Sequence, residues 1–398
     1  MLVGMAVAAC ETPWRQAFAA QVNEVDVAPV NSSPDKLHDG WPVSTLEAEG
    51  IDPTRIAALL KRIDDGDYVG INGLVLVRNG KLVSEMYFGE YQSRPGGITK
   101  PYERDVLHQT RSTFKSVTGL LAGIAIDEGI LGLDDPVMPY ISDYHKMLDP
   151  DPRKQRITVG NLLEMSSGLD CSEMPGAIPQ RETGLRNNVD MVRSHAELRM
   201  ADEPGTVWRY CSSNPMLFGF ALEAALTRGG HGSLKNFVDT RLMALLDISE
   251  YRTGYSPKGH MFMHGGQKFR PRDLAKFGQL VVSGGLWLGQ RVVPAGWVES
   301  IRSDGRSTDW SWTDSVSSDP VMRRGSRYRY LWFQTPLRVG DRDLKLVHSW
   351  GNGGQFVIAV PALDLVVTIT GANYGAGKVE EQKQVFHMLH QFILPAVR

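Results

Sequence analysis

The sequence predicts an α+β fold: an antiparallel sheet built from both chain ends with flanking helices, plus a mostly helical inserted lobe. Three observations carry this. Near the start, Leu74-Val75-Leu76-Val77 and Leu82-Val83 with Met86-Tyr87-Phe88 bracket Asn79-Gly80, and Asn-Gly between β-rich runs is a strong hairpin signal. The pattern returns near the end, where Phe356 to Val360 and Leu365 to Thr370 flank the turn Pro361-Ala362-Leu363-Asp364. Between these ends the apolar spacing is helical, so two terminal hairpins joining in one sheet leave the middle as a second lobe.

Taken in order, Asp52-Pro53 reads as an N-cap followed by proline at the first helical position. Ile56, Leu59, Leu60 and Ile63 then recur at helical spacing. A buried helix carries Val117, Leu120, Leu121 and Ile124, and Thr158 caps another bearing Val159, Leu162 and Leu163. Pro271-Arg272-Asp273-Leu274 opens a further helix that Gly284-Gly285 ends, and a last one runs from about Val379 to Leu394 with Val385, Leu389 and Phe392 on one face. The division expected is an export signal and tether over 1–42 and one domain over 43–398. Its sheet lobe covers about 43–110 and 328–398, and its helical lobe about 111–327.

Composition narrows the function classes. The chain has 398 residues, 42% of them hydrophobic and 22% charged, with a formal net charge of −2. That is enough apolar material for two lobes around a cleft. It offers no electrostatic case for nucleic acid, so a small-molecule partner is expected. The opening MLVGMAVAAC is apolar, too short to span a bilayer, and resembles the tail of a secretory signal. Val7-Ala8-Ala9-Cys10 resembles a bacterial lipobox, although no Lys or Arg precedes it. The expectation is an exported, periplasmic or membrane-anchored protein, lipidated at Cys10. In an oxidising compartment Cys171 and Cys211 can pair; two buried free thiols are the competing reading.

The chemistry-bearing residues begin with Ser112-Thr113-Phe114-Lys115, an S-x-x-K pair at the start of the buried helix. At this spacing both side chains share one helix face. A serine hydroxyl needs a neighbour to take its proton. Lysine does so only when neutral, and burial lowers its pKa from about 10.4. The spelling alone is weak, since Ser33-Pro34-Asp35-Lys36 matches too, in the polar tether, and a plain helix cap is the competing reading for Ser112. Two partners add weight. Tyr210-Cys211-Ser212-Ser213-Asn214 precedes an apolar helix, where a tyrosine can relay a proton or simply be a half-buried aromatic. Ser349-Trp350-Gly351-Asn352-Gly353-Gly354-Gln355 leads into a strand, where glycines let a ligand approach the backbone or merely make a turn. A backbone N–H there, with that of Ser112, can form an oxyanion hole.

S-x-x-K, then Y-x-S, then a glycine-rich strand entry together resemble the serine β-lactamase and penicillin-binding superfamily from about Trp41 onward. The branch most alike is the class C-like one, which includes esterases and 6-aminohexanoate-dimer hydrolases. Leu162-Leu163-Glu164-Met165-Ser166-Ser167-Gly168-Leu169 and Asp134-Asp135-Pro136-Val137 support the likeness. The resemblance implies a β-lactamase/transpeptidase-like fold with Ser112 acylated, Lys115 as base and Tyr210 as proton shuttle, and no cofactor. It puts Ser349-Trp350-Gly351 in the place of the K-T-G triplet and gives the second oxyanion N–H to Asn352, with Trp350 and Gly351 lining the substrate site. Two departures matter: the triplet's lysine is absent, and Ser212 replaces the Y-x-N asparagine. Both favour a small ester or amide with a neutral group at that end over a β-lactam or D-Ala-D-Ala peptide. A D-Ala-D-Ala carboxypeptidase or β-lactamase, and a non-catalytic binder on the same fold, are the alternatives.

Other hydrolase classes lack their marks. No G-x-S-x-G elbow occurs. His260 and His264 share i, i+4 spacing without the glutamate of H-E-x-x-H, so both read as ordinary loop or surface histidines and no metal is expected. His348 reads as a strand histidine bonded to a neighbour, or as a residue bordering the cleft. The long polar segments Cys171 to Asn188 and Ser303 to Arg327 are expected to frame that cleft.

Overall fold

The computed structural model describes residues 30, 32–92, 97–141, 150–173, 190–308, 325–374 and 378–398. Its largest sheet has eight strands, β1 (Ile71–Arg78), β2 (Lys81–Tyr87), β3 (Arg306–Ser307), β4 (Arg327–Arg329), β5 (Trp332–Val339), β6 (Arg342–Gly351), β7 (Gln355–Val360) and β8 (Leu365–Gly371). They lie in the order β2-β1-β8-β7-β6-β5-β4-β3, every pair antiparallel. The first hairpin joins the last through β1 and β8, with Leu74 opposite Ile369 and Leu76 opposite Val367. Both chain ends therefore build one sheet, as the two hairpin signals predict. Asn79 and Gly80 take φ of +52° and +71°, the left-handed pair that a two-residue hairpin requires.

Six helices matter to the site: α1 (Pro53–Asp64), α2 (Thr113–Asp127), α3 (Ser213–Arg228), α4 (Pro271–Val282), α5 (Ala295–Arg302) and α6 (Lys378–Met388). Asp52 caps α1, its Oδ1 accepting from the Thr54 amide at 2.9 Å. Thr158 and Asn161 form a reciprocal capping box at the short helix Val159–Leu163. The final helix runs over 378–388, then through a π-helical turn at Leu389–Ile393.

α2 is buried on every side from Thr113 to Ala125, packed between β5, β6 and β7 and helix α3. Such a helix must satisfy its polar side chains internally. Thr113 Oγ1 donates to the Gln355 carbonyl at 3.0 Å, Ser116 Oγ to Leu331 at 2.6 Å and Thr118 Oγ1 to Met263 at 2.7 Å. Gly119 and Gly123 make room for the Tyr330 carbonyl and the Trp297 indole. That indole donates to Gly119 O at 2.9 Å and stacks on Tyr330 with centroids 4.0 Å apart.

Two expected boundaries move. The tether does not extend to residue 42, because Asp35 pairs with Arg104 at 2.7 Å and Asp39 with the buried Arg272 at 2.7 Å. Trp41 is also buried, its Nε1 donating to Arg272 O at 3.0 Å. Nor is 111–327 one helical lobe. α4 packs on β1, β7 and β8, Gly278 lying directly against Val357 and Val366, and β3 is a strand of the sheet. The hairpin β5–β6 also lacked a signal, since Pro336, Arg338, Asp343 and Lys345 interrupt its apolar pattern. Pro336 is tolerated because β4 reaches only Trp332 to Gln334, leaving that side of Pro336 without a ladder partner to satisfy. Cys10 and most of the segments 171–188 and 303–327 lie outside the described residues.

Gly123→Ala would drive a methyl into the Trp297 ring and should cost about 1–3 kcal/mol. The urea midpoint should fall with an unchanged m-value, whereas Gly296→Ala, with open space at that position, should leave it unmoved or raise it. Equal midpoints for the two variants would refute the packing argument.

Candidate active site

Ser112 stands at the N-terminal end of α2 in helical conformation (φ −65°, ψ −11°), and its side chain makes no capping bond. The helix-cap reading therefore does not describe it. Its Oγ instead lies 2.8 Å from Lys115 Nζ, the contact that a three-residue step along one helix face permits. Lys115 is buried, with 1% of its surface exposed, and Nζ also donates to the His264 carbonyl at 3.2 Å. His264 is a loop residue, one of the two positions expected for it, but it is not at the surface: it is buried, because Gly265 lets that segment lie against the Arg111 backbone. The other S-x-x-K match is exposed, Ser33 Oγ donating to the adjacent Pro34 carbonyl.

Tyr210 comes to the same place from the far side. Its ring centroid is 5.0 Å from Lys115 Nζ, and it packs against Phe333 at 5.7 Å and edge-on to the buried Tyr328 at 6.3 Å. Three successive residues are fixed to one neighbouring stretch. The Tyr210 carbonyl accepts from the Glu173 amide at 2.9 Å, Cys211 is disulfide-bonded to Cys171 with Cα atoms 5.8 Å apart, and the Ser212 amide donates to Glu173 Oε1. Glu173 thereby serves the start of α3, where Ser212 makes no capping bond of its own. Beneath them, Met165 Sδ accepts from the Cys211 amide at 3.5 Å and from Asn214 Nδ2 at 3.2 Å. Glu164, in the same turn, is pushed up to about 7 by burial, against the lowering pull of Arg329.

The third wall is the end of β6. A side chain on Gly351 would strike the Thr110 carbonyl and the Arg111 Cβ, so glycine is what lets the strand end press against the stretch entering Ser112. Ser349 Oγ accepts from the Val357 amide at 3.1 Å, and Trp350, opposite Phe356 in the ladder, is buried. Asn352 is exposed in the turn just beyond Gly351. Gly353, next in that turn, donates its amide to the buried Glu381 at 2.9 Å.

The family model for Beta-lactamase matches residues 56–383 of the chain, a span that contains every one of these walls. The chain belongs to the Beta-lactamase family. A 6-aminohexanoate-dimer hydrolase of Paenarthrobacter ureafaciens is 26% identical over 373 residues, covering 90% of this chain and 85% of that protein. Among solved structures, a class C β-lactamase superposes with a TM-score of 0.60 at 17% identity, over 86% of this chain and 96% of its own. A family VIII carboxylesterase does so at 0.55 and 17%, over 80% and 90%. The protein is thus a serine hydrolase of the β-lactamase type, and its relatives include amidase- and esterase-type enzymes.

Within this Beta-lactamase family member the remaining candidates sort by burial. His348 is the bonded strand histidine: Nε2 meets Thr335 Oγ1 at 3.0 Å, and burial lowers its pKa to about 4. His195 is likewise lowered to about 4 by burial, its Nδ1 2.7 Å from Ser213 Oγ. Both are neutral at pH 7. His260 pairs with Glu223 at 2.7 Å. Among the described residues no group of three or more His, Cys, Asp or Glu side chains is placed to hold a metal ion, and no helix is long and apolar enough to cross a membrane. Sequence reasoning missed Glu173, Met165 and the His264 carbonyl. Only the Leu-Glu-Met-Ser-Ser-Gly phrase around Met165 gave a signal, and it did not say what that side chain touches.

Replacing both Cys171 and Cys211 with Ser should cost about 2–4 kcal/mol of stability, seen as a lower urea midpoint under non-reducing conditions. A midpoint equal to the wild type's would show that the bridge does not form in solution.

Proposed function

We propose that the protein cleaves small esters or amides through an acyl-enzyme on Ser112. The observation that carries this is the 2.8 Å contact of Ser112 Oγ with the buried Lys115 Nζ. Neutral Lys115 takes the hydroxyl proton as Oγ attacks the substrate carbonyl carbon. The tetrahedral oxygen accepts from the backbone amides of Ser112 and Asn352, at the end of β6 lined by Trp350 and Gly351. Collapse breaks the bond to the alcohol or amine, which leaves with the proton passed from Lys115 through Tyr210. Water then attacks the Ser112 ester, giving one proton back through Tyr210, and the acid departs as Ser112 regains its hydrogen. No step calls on a cofactor.

A D-Ala-D-Ala carboxypeptidase or β-lactamase is the second reading. It is disfavoured because Ser349-Trp350-Gly351 lacks the lysine of K-T-G. Export, with a lipid on Cys10 as a membrane anchor, belongs to the proposal as well. It is supported by the apolar opening of the sequence and by a disulfide, which persists in oxidising compartments.

Ser112→Ala should lower kcat/KM for short p-nitrophenyl esters by about three orders of magnitude or more, and Lys115→Ala nearly as far, because the two act as one unit. Turnover by Ser112→Ala equal to the wild type's would overturn the assignment. Full turnover of esters with none of penicillins would separate the first reading from the second.

A further inference from the structure

The residue immediately before the nucleophile is unusual. Arg111 takes a left-handed φ of +50°, a conformation disfavoured for a side chain of this size, and one that persists where the surroundings over-determine it. Two close approaches do so here. The Arg111 carbonyl lies against Gly265, and its Cβ against Gly351 at the end of β6. The Arg111 guanidinium carbon sits 4.9 Å from the centroid of Tyr374, a half-exposed ring that itself lies against Gly353 in the turn beyond Gly351.

Among the described residues the guanidinium has no carboxylate partner: its side chain meets the Tyr374 ring, and Nε is buried without a hydrogen-bond acceptor. An arginine held half-buried normally finds an anion, because its planar fork matches a carboxylate in two places. Stacking on an aromatic ring leaves that fork edge available. We propose that Arg111, backed by Tyr374, binds a carboxylate carried by the substrate near its scissile bond, making anionic esters or amides the preferred class. This rests on the acyl-enzyme reading of Ser112. It departs from what the missing K-T-G lysine alone suggests, since the positive charge lost from the strand is supplied from the other side of Gly351.

The test compares mono-p-nitrophenyl glutarate with p-nitrophenyl butyrate, which share a leaving group and differ by a terminal carboxylate. For the wild type, kcat/KM should favour the glutarate about tenfold at low ionic strength, a preference that 0.5 M NaCl reduces. Arg111→Asn keeps a residue that tolerates the left-handed backbone and should bring the ratio to one or below, mainly through KM. Arg111→Lys should retain part of the preference. Rates are normalised to the fraction of protein that a fluorophosphonate labels, so that a poorly folded variant does not mimic the result. A wild-type ratio of one, or a ratio unchanged in Arg111→Asn, overturns the proposal while leaving Ser112 as nucleophile. Hydrolysis of both esters that survives Ser112→Ala overturns the reading beneath it.

Discussion

The contact between Lys115 Nζ and Ser112 Oγ depends on an ammonium-bearing side chain being held inside the protein, and much of the architecture serves that placement. Among its contacts Nζ has a hydroxyl, a backbone carbonyl and the face of a tyrosine ring. As the proposed general base, Lys115 must be in its uncharged form when it takes the Ser112 proton. The helix that carries the pair must then be buried as well. Its threonines and serine bond to carbonyls of three different segments, so it cannot slide without breaking several bonds at once.

From this buried helix the other elements follow as walls. The sheet supplies β6, whose last residue is glycine where the strand meets the stretch before Ser112. The helical side supplies Tyr210, fixed over three consecutive residues by Cys171 and Glu173 and supported from below by Met165. These elements converge on one hydroxyl, so the proposed reaction starts from groups that the fold already holds together. The buried His195 and His348, neutral at pH 7, belong to this framework through their contacts with Ser213 and Thr335.

The sequence made the skeleton legible wherever local chemistry is decisive. Asn79-Gly80, Asp52-Pro53 and Thr158 each specify a turn or a helix end within a few residues, and the structure has those elements. The β5–β6 hairpin was hidden because Pro336 is permitted by a partner strand, β4, too short to reach it, a tertiary fact. Ser112, Lys115 and Tyr210 were visible through motif spacing, while the burial of the loop residue His264 was not, because it depends on Gly265 approaching Arg111, far away in sequence. Glu173 and Arg111 were invisible for the same reason: what matters about each is its company, and neither residue type announces it.

The central claim is that Ser112 becomes covalently acylated. Treating the intact protein with a fluorophosphonate, measuring its mass and mapping the modified peptide tests this most directly. A single adduct is expected on the peptide containing Ser112, absent in Ser112→Ala and strongly slowed in Lys115→Ala. Folded protein that gains no adduct, or gains it at another serine such as Ser33, would contradict it.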